Sequence, residues 1–310
     1  MARAVHLPIR RRDAIVALGV AAAHALPIHA DPVERIDTVD VTSDFFDVKD
    51  LFVEGDPKLA TRFSLIMPKA LPKDVKVPLV VALHGLGESG DESLGVRAWP
   101  ELYGLKTSYE RLKKPPVVRE SKRKDFTDER LEEVNQLLST RGFRGVAIAC
   151  PWTRHIADFP DPKAAYDAYT AWLMDVVIPR ARIEGPVSAD PLATSIVGCS
   201  MGGPVALEVF QRHPEAFGSV GLVQGAVSAF YADKNAQMIA DAAASYGRRD
   251  VLLLSSQGDP FRDGHEAFAK ALDKRGVPNS LRVPPGPHDQ PFLRETGSIE
   301  LLLYQDGRWP

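Results

Sequence analysis

The sequence predicts an α/β fold built on a largely parallel sheet with helices on both faces. Three observations predict it. Short apolar runs recur at 78–83, 145–149, 195–198, 219–223 and 251–255, with a weaker one at 281–283. They are too short for helices and lack the alternation of a half-exposed sheet, so they suit strands buried on both faces. Helical patterns at 163–177, 204–212, 236–245 and 264–275 separate the later runs, and strands alternating with helices imply parallel crossover units. Ahead of them, 39–53 and 60–67 are rich in β-branched and aromatic residues, and Gly55-Asp56-Pro57 joins them by a turn, which predicts an antiparallel pair.

The N-terminus has another composition. Arg10, Arg11 and Arg12 precede an apolar stretch, 14–26, that ends in small residues and Pro27. A basic flank, a short apolar run and a small-residue exit describe a signal peptide over 1–30, with cleavage expected after Ala25 or Ala30. The run is too short to span a bilayer, so no stable membrane span is expected after processing. Arg11-Arg12-Asp13-Ala14-Ile15-Val16 is similar to a twin-arginine signal, although the flanking Ser or Thr and the Lys are missing. The expectation is export to the periplasm or beyond, with 31–310 as a single domain. Cys150 and Cys199 would survive cleavage and are read as free and buried. A net charge of −3 and a pI near 6.3 do not suggest a nucleic-acid partner.

One connection breaks the rhythm. Residues 88–142 separate two strands by far more than an ordinary loop. A helix is expected at 127–138, and the remainder reads as an insertion. Its apolar group Trp99, Leu102, Tyr103, Leu105 and Tyr109 lacks strong helical phase, which predicts a lid or pocket wall, with the basic stretch Lys113-Lys114 and Lys122-Arg123-Lys124 facing water.

The chemistry concentrates in three loops. Gly198-Cys199-Ser200-Met201-Gly202 has a strand pattern directly before it and a helix pattern directly after it, with Pro204 in the helix's first turn. A serine on such a turn is exposed at a helix N-terminus, where the Met201 N–H is free to stabilise an oxyanion. Leu83-His84-Gly85-Leu86-Gly87 follows an earlier strand and offers the Leu86 N–H as a second donor, with His84 orienting the loop. The base is assigned to His288, in the conformationally restricted Pro284-Pro285-Gly286-Pro287-His288. His155, His213 and His265 are assigned other roles: His155 to the cleft margin, His213 to the surface at a helix end, and His265 to a helix's first turn. The orienting carboxylate is assigned to Asp259, in the loop after 251–254, with Asp233 as the reserve and Asp263 and Asp289 less well placed. No His-Glu-x-x-His or other ligand cluster is present, so no metal is expected.

The elbow with its second Gly203, the His84-Gly85 loop, the Asp259 loop and the His288 loop, in the order Ser…Asp…His, resemble the α/β-hydrolase superfamily. Within it the resemblance is to the serine-esterase and prolyl-oligopeptidase-like branch, over residues 45–300. It implies an eight-stranded, mostly parallel sheet, no cofactor, and acyl transfer from Ser200 to water. Cys199 is a less common residue before the nucleophile, and 88–142 matches no subfamily pattern. The expected function is an exported carboxylic-ester hydrolase acting on a small-molecule or polysaccharide-linked ester. A serine peptidase of this fold and a non-catalytic binding module remain the alternatives.

Overall fold

The computed structural model describes residues 43–309. The expected signal peptide at 1–30 and the first residues of the expected strand at 39–53 lie outside them. Eight strands form one sheet in the order β1-β2-β4-β3-β5-β6-β7-β8. They are β1 (Phe46–Phe52), β2 (Arg62–Pro68), β3 (Leu79–Leu83), β4 (Ala147–Pro151), β5 (Thr194–Cys199), β6 (Ser219–Val223), β7 (Asp250–Leu254) and β8 (Asn279–Arg282). β1 pairs antiparallel with β2, and β2 antiparallel with β4. Every later pairing is parallel. This is the architecture expected from the apolar runs, and β3 to β6 are buried along their whole length.

Alternate strand residues feed two cores. On one face Leu65, Val81, Ile196, Leu222 and Leu253 pack against helices that follow β4. These are α4 (Pro162–Trp172), continued through α5 (Ile178–Ile183), then α6 (Gly202–Arg212), α7 (Ala232–Tyr246) and α8 (Arg262–Asp273). On the other face Ile66, Val80, Ile148, Val197 and Leu252 meet the 88–142 segment and the C-terminus. That segment contains α1 (Glu92–Arg97), which runs into a wider helical turn at Ala98–Leu102, then α2 (Leu105–Lys113) and α3 (Asp128–Arg141). The C-terminal cover is α9 (Gln290–Phe292), leading through Leu293–Gly297 into α10 (Ser298–Asp306).

The lid expectation for 88–142 is therefore corrected. Trp99, Leu102, Tyr103, Leu105 and Tyr109 are all buried in the second core. The physical reason is that one whole face of the sheet needs a helical layer, and this segment supplies most of it. The basic stretch is corrected in part. Lys122 and Lys124 are exposed, whereas Arg123 binds Asp125 and Asp289.

Cys150 and Cys199 are free and buried. They lie on β4 and β5 with β3 between and are offset by two residues in register, so at least about 9–10 Å separates them. That is beyond disulfide reach. Among the described residues no helix is long and apolar enough to cross a membrane.

Candidate active site

The parallel strands β3, β5, β6, β7 and β8 end at the same rim, where open α/β sheets gather their functional groups. Ser200 sits between β5 and α6 with φ +49°, a left-handed conformation that is costly for a residue with a Cβ. The neighbouring glycines explain how the turn is so tight. A Cβ on Gly198 would lie 1.9 Å from the Gly202 carbonyl oxygen, and one on Gly202 would lie 2.7 Å from the carbonyl oxygens of Leu83 and His84. Backbone bonds fix the turn from behind: the Ser200 N–H donates to Val223 (3.2 Å), and the Ala226 N–H donates to the Ser200 carbonyl (2.8 Å).

His288 reaches this turn from the loop after β8. Its Nε2 is 3.1 Å from Ser200 Oγ, and its Nδ1 is 3.0 Å from Asp259 Oδ1. Asp259 also accepts from Ser255 Oγ (2.6 Å) and from the Phe261 N–H (3.0 Å), so both carboxylate oxygens are hydrogen-bonded. A carboxylate only accepts, so Nδ1 carries the imidazole proton and Nε2 is left to accept from the Ser200 hydroxyl. The Phe261 ring meets His288 edge-on at 5.5 Å between centroids. Burial would raise the Asp259 carboxyl, but the bonds from His288, Ser255 and the Phe261 N–H outweigh it and hold the group below the ordinary carboxylate range.

The His84 loop lies against the serine. A Cβ on Gly85 would be 3.5 Å from Ser200 Cβ. Leu86 opens a short 3-10 turn, Leu86–Glu88, and Met201 precedes α6. Among the described residues neither the Leu86 nor the Met201 N–H has a protein acceptor. The Leu86 N–H is held by its own peptide group. His84 Nδ1 bonds the Gly85 carbonyl at 2.8 Å, and His84 Nε2 accepts from the Thr153 N–H at 2.9 Å. A trans peptide points its C=O and N–H in opposite directions, so anchoring the Gly85 oxygen orients the Leu86 N–H. Burial pushes the His84 imidazolium down to about 4, which keeps the ring neutral and this pattern intact.

A family model described as a putative esterase matches residues 146–284, a stretch that includes Ser200 and Asp259 and stops short of His288. Among solved structures, a ferulic acid esterase aligns with a TM-score of 0.56 at 17% identity, covering 85% of this chain and 98% of its own. An S-formylglutathione hydrolase from Staphylococcus aureus aligns at 0.53 and 12%, covering 84% and 98%. A ferulic acid esterase from Anaeromyces mucronatus aligns at 0.50 and 15%, covering 87% and 92%. No curated protein matches the chain. The chain has the α/β-hydrolase fold, and its middle portion matches the putative-esterase model.

The remaining acids and histidines singled out in the sequence lie apart from the Ser200–His288 contact. Asp233, the reserve acid, is on α7 with a 77% exposed side chain paired to Arg275 at 2.8 Å. Asp289 caps α9 and binds Arg123. His155 pairs with Asp158 and His213 with Glu215, each at 2.9 Å on the surface. His265 is fully buried and bonds the Gly225 carbonyl at 3.0 Å.

Sequence reasoning assigned no role to two further groups at this rim. Glu88 is buried, accepting from Tyr103 Oη (2.5 Å) and from Gln290 Nε2 (3.0 Å), and Tyr103 Oη accepts in turn from the Gly85 N–H (3.0 Å). The chain thereby ties the His84 loop to the 88–142 segment and to the His288 loop. The acidic Glu88 directly after Leu86-Gly87 was the available signal. Gln224, the other group, carried none.

Proposed function

We propose that the protein is an exported carboxylic-ester hydrolase working through an acyl-enzyme on Ser200. The observation that carries this reading is the continuous line from Ser200 Oγ through His288 to Asp259, with contacts of 3.1 and 3.0 Å. His288 Nε2 takes the hydroxyl proton as Ser200 Oγ attacks the acyl carbon. The N–H groups of Leu86 and Met201 receive the charge that develops on the carbonyl oxygen. His288 then passes the proton to the departing alcohol, and a water activated by the same imidazole releases the acid. Asp259 keeps the Nδ1–H tautomer in place and balances the imidazolium.

The substrate class is a small-molecule or polysaccharide-linked ester. The esterase family match and the ferulic acid esterases among the structural neighbours support that class. Export rests on the basic and apolar pattern of residues 1–30, with the twin-arginine route as the proposed path. A reporter fused to 1–30 should leave the cytoplasm, and changing Arg11 and Arg12 to Lys should stop it.

The reaction is tested with a panel of carboxylic esters, thioesters and peptides, using Ser200→Ala as control. The expected result is ester turnover that falls to background in the variant while the fold is kept. Cleavage of peptides in preference to esters would make it a peptidase, and no turnover of any member would favour a binding role.

A further inference from the structure

Gln224 lies one residue past β6 and adopts φ +47°, although it has a Cβ and is buried to 1% exposure. Strained backbone of this kind persists only where the surroundings over-determine it, and it gathers at functional sites. Here the surroundings are visible. The Gln224 N–H donates to the Leu254 carbonyl at the end of β7 (2.6 Å). Its side-chain Nε2 donates to Ser256 Oγ (2.8 Å) and to the Pro287 carbonyl (2.9 Å). Ser256 Oγ donates to the same carbonyl at 3.3 Å. Gln224 therefore reaches across the end of β7 to the loop after β8, and both its amide protons are used.

The Pro287 carbonyl belongs to the peptide bond that joins Pro287 to His288. Two donors on that oxygen fix the plane from which the His288 side chain leaves. The residues beside Gln224 hold the partner group. Val223 accepts the Ser200 N–H, and the Ala226 N–H donates to the Ser200 carbonyl. One short stretch of chain, 223–226, thus locates the serine through its backbone and the histidine loop through one side chain.

We propose that Gln224 is a positioning residue that sets the separation and angle between Ser200 Oγ and His288 Nε2. The inference rests on the reading of Ser200 and His288 as nucleophile and base. Proton transfer depends steeply on that geometry, and an error of about 1 Å costs on the order of 100-fold in rate. Gln224 touches neither substrate nor the reacting atoms, so its removal acts on kcat and leaves KM nearly unchanged.

The test compares wild type with Gln224→Met, which keeps the side-chain length but not the donor, and Gln224→Gly, which also relieves the positive φ. Each is measured for kcat, KM, melting temperature and the rate of labelling by a fluorophosphonate, with the labelled peptide mapped. Both variants should lose about 10- to 100-fold in kcat and in labelling rate, with KM within about twofold. Gln224→Met fills the same buried space and should melt close to wild type, whereas Gln224→Gly relaxes the backbone but leaves that space empty and should melt lower. Rate and stability then part company, as a merely structural role would not allow. Wild-type kcat in a folded Gln224→Met, or recovery of kcat in Gln224→Gly together with its melting temperature, would overturn the proposal. If the wild type labels elsewhere than Ser200, the triad reading itself fails. Equal labelling at Ser200 in all three proteins defeats only the role of Gln224.

Discussion

Replacing Asp259 with Asn isolates the charge of the acid from its geometry. In the best-studied triad this swap costs on the order of 10⁴ in kcat, because the amide leaves the histidine in the wrong tautomer. The surroundings of Asp259 argue for a smaller loss here. Oδ1 accepts from both His288 Nδ1–H and the Phe261 N–H, whereas Oδ2 accepts only from the Ser255 hydroxyl. The Phe261 N–H cannot turn into an acceptor, so the asparagine oxygen takes the Oδ1 place. Its NH₂ then faces Ser255 Oγ, which is able to accept. The histidine tautomer survives and the negative charge does not.

A bond to a charged group contributes about 1.5–3 kcal/mol and a neutral one about 0.5–1.5. Their difference gives a lower bound of about 1 kcal/mol. A full charge pair at 3.0 Å with an effective dielectric of about 20 sets an upper bound near 5 kcal/mol. At about 1.4 kcal/mol per decade these bounds correspond to falls in kcat/KM of roughly 5-fold and roughly 4 × 10³-fold, and the expected loss lies between them. Asp259→Ala should lose at least tenfold more, since it leaves the Phe261 N–H and the Nδ1–H without an acceptor. The assay is kcat/KM on an activated ester near pH 8, with melting temperatures recorded alongside. Equal losses of about 10⁴ in both variants would refute the tautomer argument, and wild-type rates in Asp259→Asn would remove Asp259 from the mechanism.

Three further outcomes follow from the same contacts. Trp99 is fully buried and donates to the Leu83 carbonyl at 2.9 Å, so Trp99→Ala should cost about 3–5 kcal/mol, or roughly 6–20 °C in Tm, with KM for every ester little changed; an altered chain-length preference at unchanged Tm would restore the lid reading. Gly198→Ala should yield insoluble or inactive protein, given the 1.9 Å approach to the Gly202 oxygen, and a soluble variant with wild-type activity would contradict the elbow geometry. His84 titrates near 4 when folded and near 6.5 when unfolded, so between those values the unfolded chain holds the extra proton; stability should fall by up to about 3 kcal/mol as pH drops through that window, and a Tm-against-pH slope in His84→Asn parallel to that of wild type would contradict it.

The strands were legible because burial on both faces writes itself as uninterrupted apolar runs, as in Leu79 to Leu83. Ser200 was legible for a different reason. The tight approach of β5, α6 and β3 leaves space only for glycine at 198 and 202, and that requirement is visible as a motif. The second helical layer was hidden. Trp99 and Leu102 lie in a wider helical turn whose side chains fall out of ordinary helical phase. α10 went unnoticed because it is buried almost all round, with no polar face to mark a period. Its Glu300 and Asp306 are buried because Arg130 and Arg141, distant in sequence, pair with them at 2.7 and 2.5 Å. Gln224 has no local signature, since its meaning lies in Pro287 and Leu254, which belong to two other strand ends.

The most direct test of the account is to trap the acyl-enzyme. A slowly deacylated ester is mixed with the protein, the reaction is quenched in acid within the first turnover, and the acylated peptide is mapped by mass spectrometry. One acyl group per chain is expected, carried on Ser200, and none in Ser200→Ala. Acylation at another residue, or continued ester turnover by Ser200→Ala, would contradict it.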